Sequence, residues 1–177
     1  ELLVPVSGHA CLNKPRGAGL WTSSWLGPEL VSDWVRWCMS ESFDGPTFHV
    51  WLLEPDRRAR AADIDNGRDL DEFVDEYRCP GPYDDSPMGP DPLFPYVDFD
   101  RVAADYDAVH LTERGQRKTR YRYDQGHAWS LYGWDCESTL WLRWLFVGVE
   151  DAERGGRHHA AAHPARTDAG RLLPVAA

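Results

Sequence analysis

An acidic segment near the C-terminal third of the chain contains the residues best suited to catalysis. It runs Tyr132-Gly-Trp-Asp-Cys-Glu-Ser-Thr-Leu-Trp141 and leads into a strongly apolar stretch. Asp135 and Glu137 are two positions apart, so they point to the same side if a strand has already begun at Asp135. A carboxylate at the mouth of a sheet, flanked by Trp134 and Trp141, would be partly desolvated and could bind a ribose hydroxyl or stabilise a cation. Glu137 is therefore the predicted active residue; the alternative is a loop acid bonded to backbone amides.

A second segment with chemical potential is Gly19-Leu-Trp-Thr-Ser-Ser24, which follows Asn13-Lys-Pro-Arg-Gly17. A glycine-rich approach to a short strand that ends in hydroxyls could present backbone amides and side-chain donors to an amide or phosphate ligand. Ser23 is the central hydroxyl of this segment. The alternative is a plain turn into a core strand, with Thr and Ser side chains capping the strand end.

The histidines and cysteines do not predict a metal site. No two of the scattered histidines have the i, i+4 spacing of a helical ligand pair, and the remaining three cluster in a C-terminal segment without periodicity. The four cysteines are widely spaced and lack a CxxC pair. We expect buried free thiols in a reducing compartment, with one or two disulfides left open. The scattered histidines are His9, His49, His110 and His127.

Composition narrows the classes of protein. Hydrophobic residues make up 42% of the chain and charged residues 27%, which is ordinary for a globular protein. Nine Trp predict a dense core, because aromatic side chains bury a large area each. The net charge of −10 disfavours a nucleic-acid partner. No apolar run approaches the roughly 20 residues that span a bilayer, so no membrane partner is predicted.

Periodicity and turn residues predict an α+β fold with a few short helices. The segment 114–122, basic and polar, is expected to be an exposed loop or hairpin tip. Three helices are expected: one with Pro28 in its first turn, one capped by Asp69 and one capped by Asp98. Strands are expected at 20–23, 48–53, 62–64, 107–112 and 137–146, the last being the strongest.

The composition changes near residue 150. Residues 1–150 form the predicted single α+β domain. Residues 151–177 are rich in Ala, Gly, Arg and His and have no amphipathic period. We expect this segment to be an extended low-complexity tail that is ordered only when a protein partner or a larger assembly holds it.

Taken in order, several segments resemble the ADP-ribosyltransferase fold, a split, mostly antiparallel sheet that clamps NAD in its central cleft. Gly19-Leu-Trp-Thr-Ser-Ser is similar to its second strand, and Phe48-His-Val-Trp-Leu-Leu to an edge after the following helix. Tyr106-Asp-Ala-Val and Glu137-Ser-Thr-Leu-Trp-Leu are similar to later segments, the last to a strand that opens with a catalytic glutamate. The resemblance covers residues 9–147 and consists of short motifs.

The resemblance implies that NAD is the substrate and that ADP-ribose passes to an unknown acceptor, or to water in an NAD glycohydrolase. Glu137 would bond the ribose 2′-hydroxyl and stabilise the oxocarbenium-like state as nicotinamide leaves. Trp21 or Trp134 would stack on the nicotinamide, and Ser23 would orient it. The family expects Arg or His on its first strand; only His9 is near, in a segment that is a poor strand.

The whole chain also resembles uncharacterised phage- and actinobacteria-type proteins with Lys-Pro-x-Gly-x-Gly-Leu-Trp and Trp-Asp-Cys-Glu-Ser segments. The low-complexity tail and the aromatic surplus support a second hypothesis. The chain would then be a non-catalytic structural or interaction component, such as a phage minor virion or assembly protein. Either hypothesis places the protein in the cytoplasm or on a virion.

Overall fold

The fold is described from a computed structural model. The residues that the structure describes are 14–15, 18–27, 31–41, 50–80, 96–120, 133–152, 156–158 and 173–176. Within these residues the helices are α1 (Asp33–Ser40), α2 (Gly67–Tyr77), α3 (Phe99–Asp105) and α4 (Glu113–Thr119). The strands are β1 (Leu20–Thr22), β2 (Val50–Pro55), β3 (Ala61–Ile64), β4 (Ala108–Leu111), β5 (Ser138–Trp141), β6 (Phe146–Asp151), β7 (Gly156–His158) and β8 (Leu173–Ala176).

The strands form one sheet in the order β3-β4-β5-β1-β8-β2-β6-β7. Only the β3–β4 pair is parallel among the described strands, and every other pair is antiparallel. The predicted α+β class is confirmed, with a sheet that is mostly antiparallel. The centre of the sheet brings β4, β5 and β1 side by side, although these strands are far apart in the chain.

Side chains alternate between the two faces of these central strands. Val109 and Leu140 are register partners and belong to the larger hydrophobic cluster, which also contains the buried residues of α2 and α3. Their neighbours Ala108 and Trp141, also partners, belong to a smaller cluster on the opposite face. The helices α2 and α3 therefore cover one face, and the other face of β4 and β5 carries the smaller cluster together with the polar pair His110 and Thr139.

The structure places α1 later in the chain than predicted. Pro28 lies outside the described residues, and Val31 has a φ of 54°, in the left-handed region. A β-branched residue with positive φ cannot continue a right-handed helix, so α1 begins only after it. Ser32 is the N-cap, and its hydroxyl accepts a hydrogen bond from the backbone N–H of Val35.

The predicted cap of α2 was wrong, while that of α3 is confirmed. Asn66 caps α2 by accepting from the backbone N–H groups of Arg68 and Asp69. Asp69 lies in the first turn instead, where its carboxylate accepts from the backbone N–H of Asp65. An acid in the first turn also interacts favourably with the helix dipole. In sequence it therefore resembles a capping acid. Asp98 caps α3 as predicted.

The segment predicted to be a loop or hairpin tip is the helix α4, so that prediction was wrong. Thr112 is its N-cap and accepts from the backbone N–H of Gly115. Gly115 is buried, and an added Cβ would collide with the backbone carbonyl of Ile64. The helix was missed because its buried contact is made through a glycine backbone, and glycine gives no apolar periodicity.

The predicted strand at 137–146 is two strands. Its first part, β5, pairs with β4 and β1, and β6 pairs with β2 and β7. Between them the chain crosses over β1, β8 and β2 to another part of the sheet. The backbone N–H of Leu142 donates to Asp107, and the carbonyl of Leu145 accepts from Asp56, so the connection is held by contacts outside a ladder.

Two strands lie in the segment for which composition predicts an extended tail. β7 pairs with β6, and β8 lies between β1 and β2 and pairs with both. These stretches are thus hydrogen-bonded to strands of the same chain. Cys38 and Cys136 are buried free thiols, as expected, and Cys79 is disulfide-bonded, which is the alternative that the sequence left open.

Candidate functional site

Glu137 lies immediately before β5 and is buried, with the residue as a whole 6% exposed. It is two residues from Thr139, which is the register partner of both His110 on β4 and Thr22 on β1. Because side chains alternate along a strand, these positions share the sheet face opposite α2 and α3. Glu137 therefore meets side chains from both neighbouring strands.

The residues that follow β1 bind Glu137 directly. The hydroxyl of Ser23 donates to Oε2 at 2.7 Å, and the backbone N–H of Ser24 donates to the same oxygen at 2.8 Å. The hydroxyl of Ser24 donates to Oε1 at 2.9 Å. Hydrogen bonds to a carboxylate are stronger than those between neutral groups. The two serines that follow β1 therefore donate three hydrogen bonds to one carboxylate.

The imidazole of His110 makes the fourth hydrogen bond to the carboxylate of Glu137. Its Nε2 is 3.1 Å from Oε1 of Glu137, and its Nδ1 is 2.9 Å from Oδ1 of Asp63 on β3. Asp63 and His110 are register partners on the parallel strands β3 and β4. Strands β3 and β4 and the residue that precedes β5 thus contribute an acid, an imidazole and an acid in a row.

The first turn of helix α1 contacts the backbone of Glu137 and the hydroxyl of Ser23. Oδ2 of Asp33 accepts from the backbone N–H of Glu137 at 3.0 Å. The backbone N–H of Trp34 donates to Oγ of Ser23 at 3.4 Å. Ser23 thus accepts from the helix and donates to the glutamate, which uses its single hydroxyl proton consistently. The start of α1 fixes both the backbone and the hydroxyl partner of Glu137.

The pKa directions follow from these contacts. Burial raises the pKa of Glu137, but hydrogen bonds from His110, Ser23 and Ser24 outweigh it, and the pKa is lowered below its ordinary value of 4.5. Burial likewise lowers the pKa of His110, but the hydrogen bonds to Glu137 and Asp63 outweigh it, and the net shift is upward. The two directions agree: the site favours an ionised carboxylate beside an imidazolium.

Of the residues predicted from sequence, the structure brings Ser23 to Glu137. Trp21 and Trp134 contact each other instead, with ring centroids 4.7 Å apart in an edge-on arrangement. Trp134 is 3% exposed and belongs to the larger hydrophobic cluster, against which the half-buried Trp21 packs. His9 lies outside the described residues.

Sequence reasoning missed Ser24, His110, Asp63 and Asp33. His110 had a detectable signal, because it is the one polar residue between Val109 and Leu111 in an otherwise apolar strand. Such a residue faces away from the core that its neighbours enter. Nothing in the local pattern shows that this face also receives Glu137, since the two residues lie on separate segments.

The arrangement is suited to stabilising a positive charge. A carboxylate that is buried, ionised and rigidly held can stabilise a developing positive charge without reorganising. Its two oxygens already accept four hydrogen bonds, which fills the lone-pair positions of a carboxylate. A ligand hydroxyl can therefore bind Glu137 only by displacing a hydroxyl such as that of Ser23.

Across the described ranges, no group of three or more His, Cys, Asp or Glu side chains is placed to hold a metal ion. None of the helices in those ranges is both long and apolar enough to cross a membrane. No protein-family model matches the sequence, and comparisons with curated proteins and with solved structures find no significant match.

Proposed function

We propose that this chain is an ADP-ribosyltransferase-like domain that takes NAD as substrate and transfers ADP-ribose to an acceptor. The observation that supports this most is the hydrogen bond of 2.7 Å from Ser23 Oγ to Glu137 Oε2. It joins the hydroxyl-bearing strand end and the glutamate that the resemblance selects as one functional unit.

In the proposed reaction the glycosidic bond between ribose C1′ and the nicotinamide nitrogen breaks, and its electron pair leaves with nicotinamide. Glu137 bonds the ribose 2′-hydroxyl and stabilises the oxocarbenium-like cation. The acceptor, or water in a glycohydrolase, then attacks C1′ and loses its proton to solvent. Ser23 yields its place on Oε2 to the ribose hydroxyl and turns towards the nicotinamide amide.

The remaining roles follow the resemblance. Trp21 is the register partner of Leu140 and packs against the larger hydrophobic cluster, on the sheet face opposite Glu137. Contact of Trp21 with the nicotinamide would therefore require its ring to leave that face. Stacking on Trp134 would require this ring to leave the core. His9 would hold the nicotinamide ribose.

A structural or interaction role, such as that of a phage virion or assembly component, is the second candidate. The observation that favours it is the complete set of hydrogen bonds to Glu137. A carboxylate with every position filled can serve as an internal clamp between β1, β4 and β5. In that role no substrate approaches it, and the protein acts through its surface.

The test is release of nicotinamide from NAD, measured by chromatography with and without a cell lysate as a source of acceptors. We compare the wild type with Glu137→Gln, which keeps the shape of the side chain but not its charge. Glu72→Gln is the matched control, since Glu72 lies on α2 with a side chain 64% exposed. Folding of each variant is checked by circular dichroism.

We expect turnover in the wild type and in Glu72→Gln, and a loss of about 10²–10³-fold in Glu137→Gln, as for removal of one electrostatic stabiliser. Folded wild-type protein that releases no nicotinamide under either condition would overturn the enzymatic proposal. So would equal turnover by Glu137→Gln. The structural role would then be the remaining candidate.

A further inference from the structure

The feature that extends the site beyond Glu137 is the position of His110 between two carboxylates. Nδ1 faces Asp63 at 2.9 Å and Nε2 faces Glu137 at 3.1 Å. The register explains this placement, because His110 is paired with Asp63 on one side and with Thr139, two residues beyond Glu137, on the other. The side chain of His110 is 27% exposed, so bulk water screens these contacts only partly.

The number of N–H donors on the ring decides which protonation state of His110 fits between two carboxylates. An ionised carboxylate only accepts hydrogen bonds, whereas a neutral imidazole has one donor and one lone pair. A neutral ring in this position would direct its lone pair at a carboxylate oxygen. The imidazolium donates from both nitrogens and satisfies both acids. The geometry therefore selects the protonated ring.

We propose that His110 is the positioning residue and the pH-sensitive element of the Glu137 site. As an imidazolium it ties Asp63 to Glu137 across β3, β4 and β5. When it loses its proton it releases Asp63 and keeps Glu137. The effect of this step on turnover rests on the proposed function, but the step itself does not.

The two carboxylates differ in exposure, which is why Asp63 is the one released. The Asp63 side chain is 64% exposed and can turn into water at little cost. The Glu137 side chain is 8% exposed, and leaving it opposite a lone pair would be expensive. The neutral ring should therefore carry its proton on Nε2. Deprotonation also removes the positive charge from a cluster that contains two acids.

The other charged groups near the Glu137 site are Asp65 with its partner Arg114, and Asp33. Asp65 follows β3, and its pKa is lowered first by the hydrogen bond from the Thr112 hydroxyl, then by Arg114, and last by the charge of His110. Asp65 is itself bound by the hydroxyl of Thr112 and by the guanidinium of Arg114. On the far side of Glu137, Asp33 accepts from the glutamate backbone. Glu137 and Asp63 are thus the two acids that contact the ring and raise the pKa of His110, whereas Asp65 is paired with Arg114.

The experiment follows the ring nitrogens of His110 by long-range ¹H–¹⁵N NMR during a pH titration. His110→Gln assigns the signal, and wild type, Asp63→Asn, Glu137→Gln and Glu72→Gln are then compared. The nitrogen shifts distinguish the imidazolium from each neutral tautomer. Asp63 is exposed, so Asp63→Asn tests the proposal even if Glu137→Gln fails to fold.

We expect His110 to titrate above the ordinary histidine value of 6.5 in the wild type, with the proton on Nε2 after deprotonation. Asp63→Asn and Glu137→Gln should each lower the pKa of His110, and Glu72→Gln should leave it unchanged. A wild-type pKa at or below 6.5, a neutral form protonated on Nδ1, or no change in Asp63→Asn would overturn the proposal.

Activity separates this inference from the proposed function. If NAD is consumed, the alkaline limb of the pH–rate profile should follow the titration of His110 and move to lower pH in Asp63→Asn. If no NAD is consumed but the NMR titration behaves as expected, the enzymatic proposal fails while the role of His110 in the cluster stands. If turnover depends on Glu137 and the titration fails, the opposite holds.

Discussion

The hydroxyl of Ser23 donates a hydrogen bond of 2.7 Å to Oε2 of Glu137, although 114 positions separate the two residues in the chain. The contact exists because β1 and β5 are antiparallel neighbours, so the end of one strand meets the start of the other. It couples the hydroxyl segment to the acidic segment. The site therefore depends on the pairing of these two strands rather than on either segment alone.

Removal of the Ser23 hydroxyl should destabilise the protein. Ser23→Ala leaves one oxygen of a buried carboxylate with fewer donors, and a hydrogen bond to a charged group contributes about 1.5–3 kcal/mol. We expect the free energy of unfolding, measured by urea denaturation at pH 7, to fall by an amount in that range. Ser40→Ala is the control, because the Ser40 hydroxyl is exposed at the end of α1. A loss no larger in Ser23→Ala than in the control would contradict a buried, energetically important bond.

The carboxylate of Glu137 should make folding depend on pH on the acid side. Its pKa is lowered in the folded protein, so its contribution is fully present above its ordinary value of 4.5 and is lost as pH falls through the lowered value. Glu137→Gln should be less stable than the wild type at pH 7. The difference in the free energy of unfolding should shrink as pH falls below about 4.5. A difference independent of pH in urea titrations would show that the charge of Glu137 contributes nothing.

Gly115→Ala should destabilise the protein, contrary to its effect in an isolated helix. Replacing glycine by alanine inside an exposed helix stabilises it by about 1 kcal/mol. Here the new Cβ would overlap the backbone carbonyl of Ile64, which cannot move like a side chain tip. We expect the free energy of unfolding, measured by thermal or urea denaturation, to fall by about 1–3 kcal/mol, as for overpacking. Lys118→Ala is the control, on an exposed position of α4, and should be near neutral. A stabilised Gly115→Ala would mean that α4 does not pack against β3 in this way.

The free thiols should resist alkylation in the folded protein. Burial, followed by the nearby charges of Asp33 and Glu137, raises the pKa of Cys136 to about 12, and burial raises that of Cys38. At pH 8 the thiolate fraction of Cys136 would be on the order of 10⁻⁴, and the thiolate is the reactive form. Iodoacetamide labelling read by mass spectrometry should modify both thiols in urea and neither in native buffer within minutes. Rapid native labelling of Cys136 would show that its position is open to reagent.

Local sequence determined much of the fold. Alternation and periodicity were sufficient for β3, β4, α2 and α3, because each has its own apolar face and a polar boundary. The cap at Asp98 could be read directly, since a cap is a contact between near neighbours. Glu137 was selected for similar reasons: an acid beside tryptophans at the start of an apolar strand indicates burial. All these signals act within a few residues.

Tertiary structure alone decided which segments meet. The order of the strands sets β4 and β1 on either side of β5, and so delivers His110 and Ser23 to one glutamate. The packing of helix α4 depends on Gly115 fitting against the backbone carbonyl of Ile64 in β3, and no local sequence pattern predicts that contact. Propensity and periodicity describe how a segment interacts with its immediate neighbours and with water. Contacts between distant segments depend on the free energy of the whole packed sheet, and that is why the acid–imidazole–acid row became visible only in the folded chain.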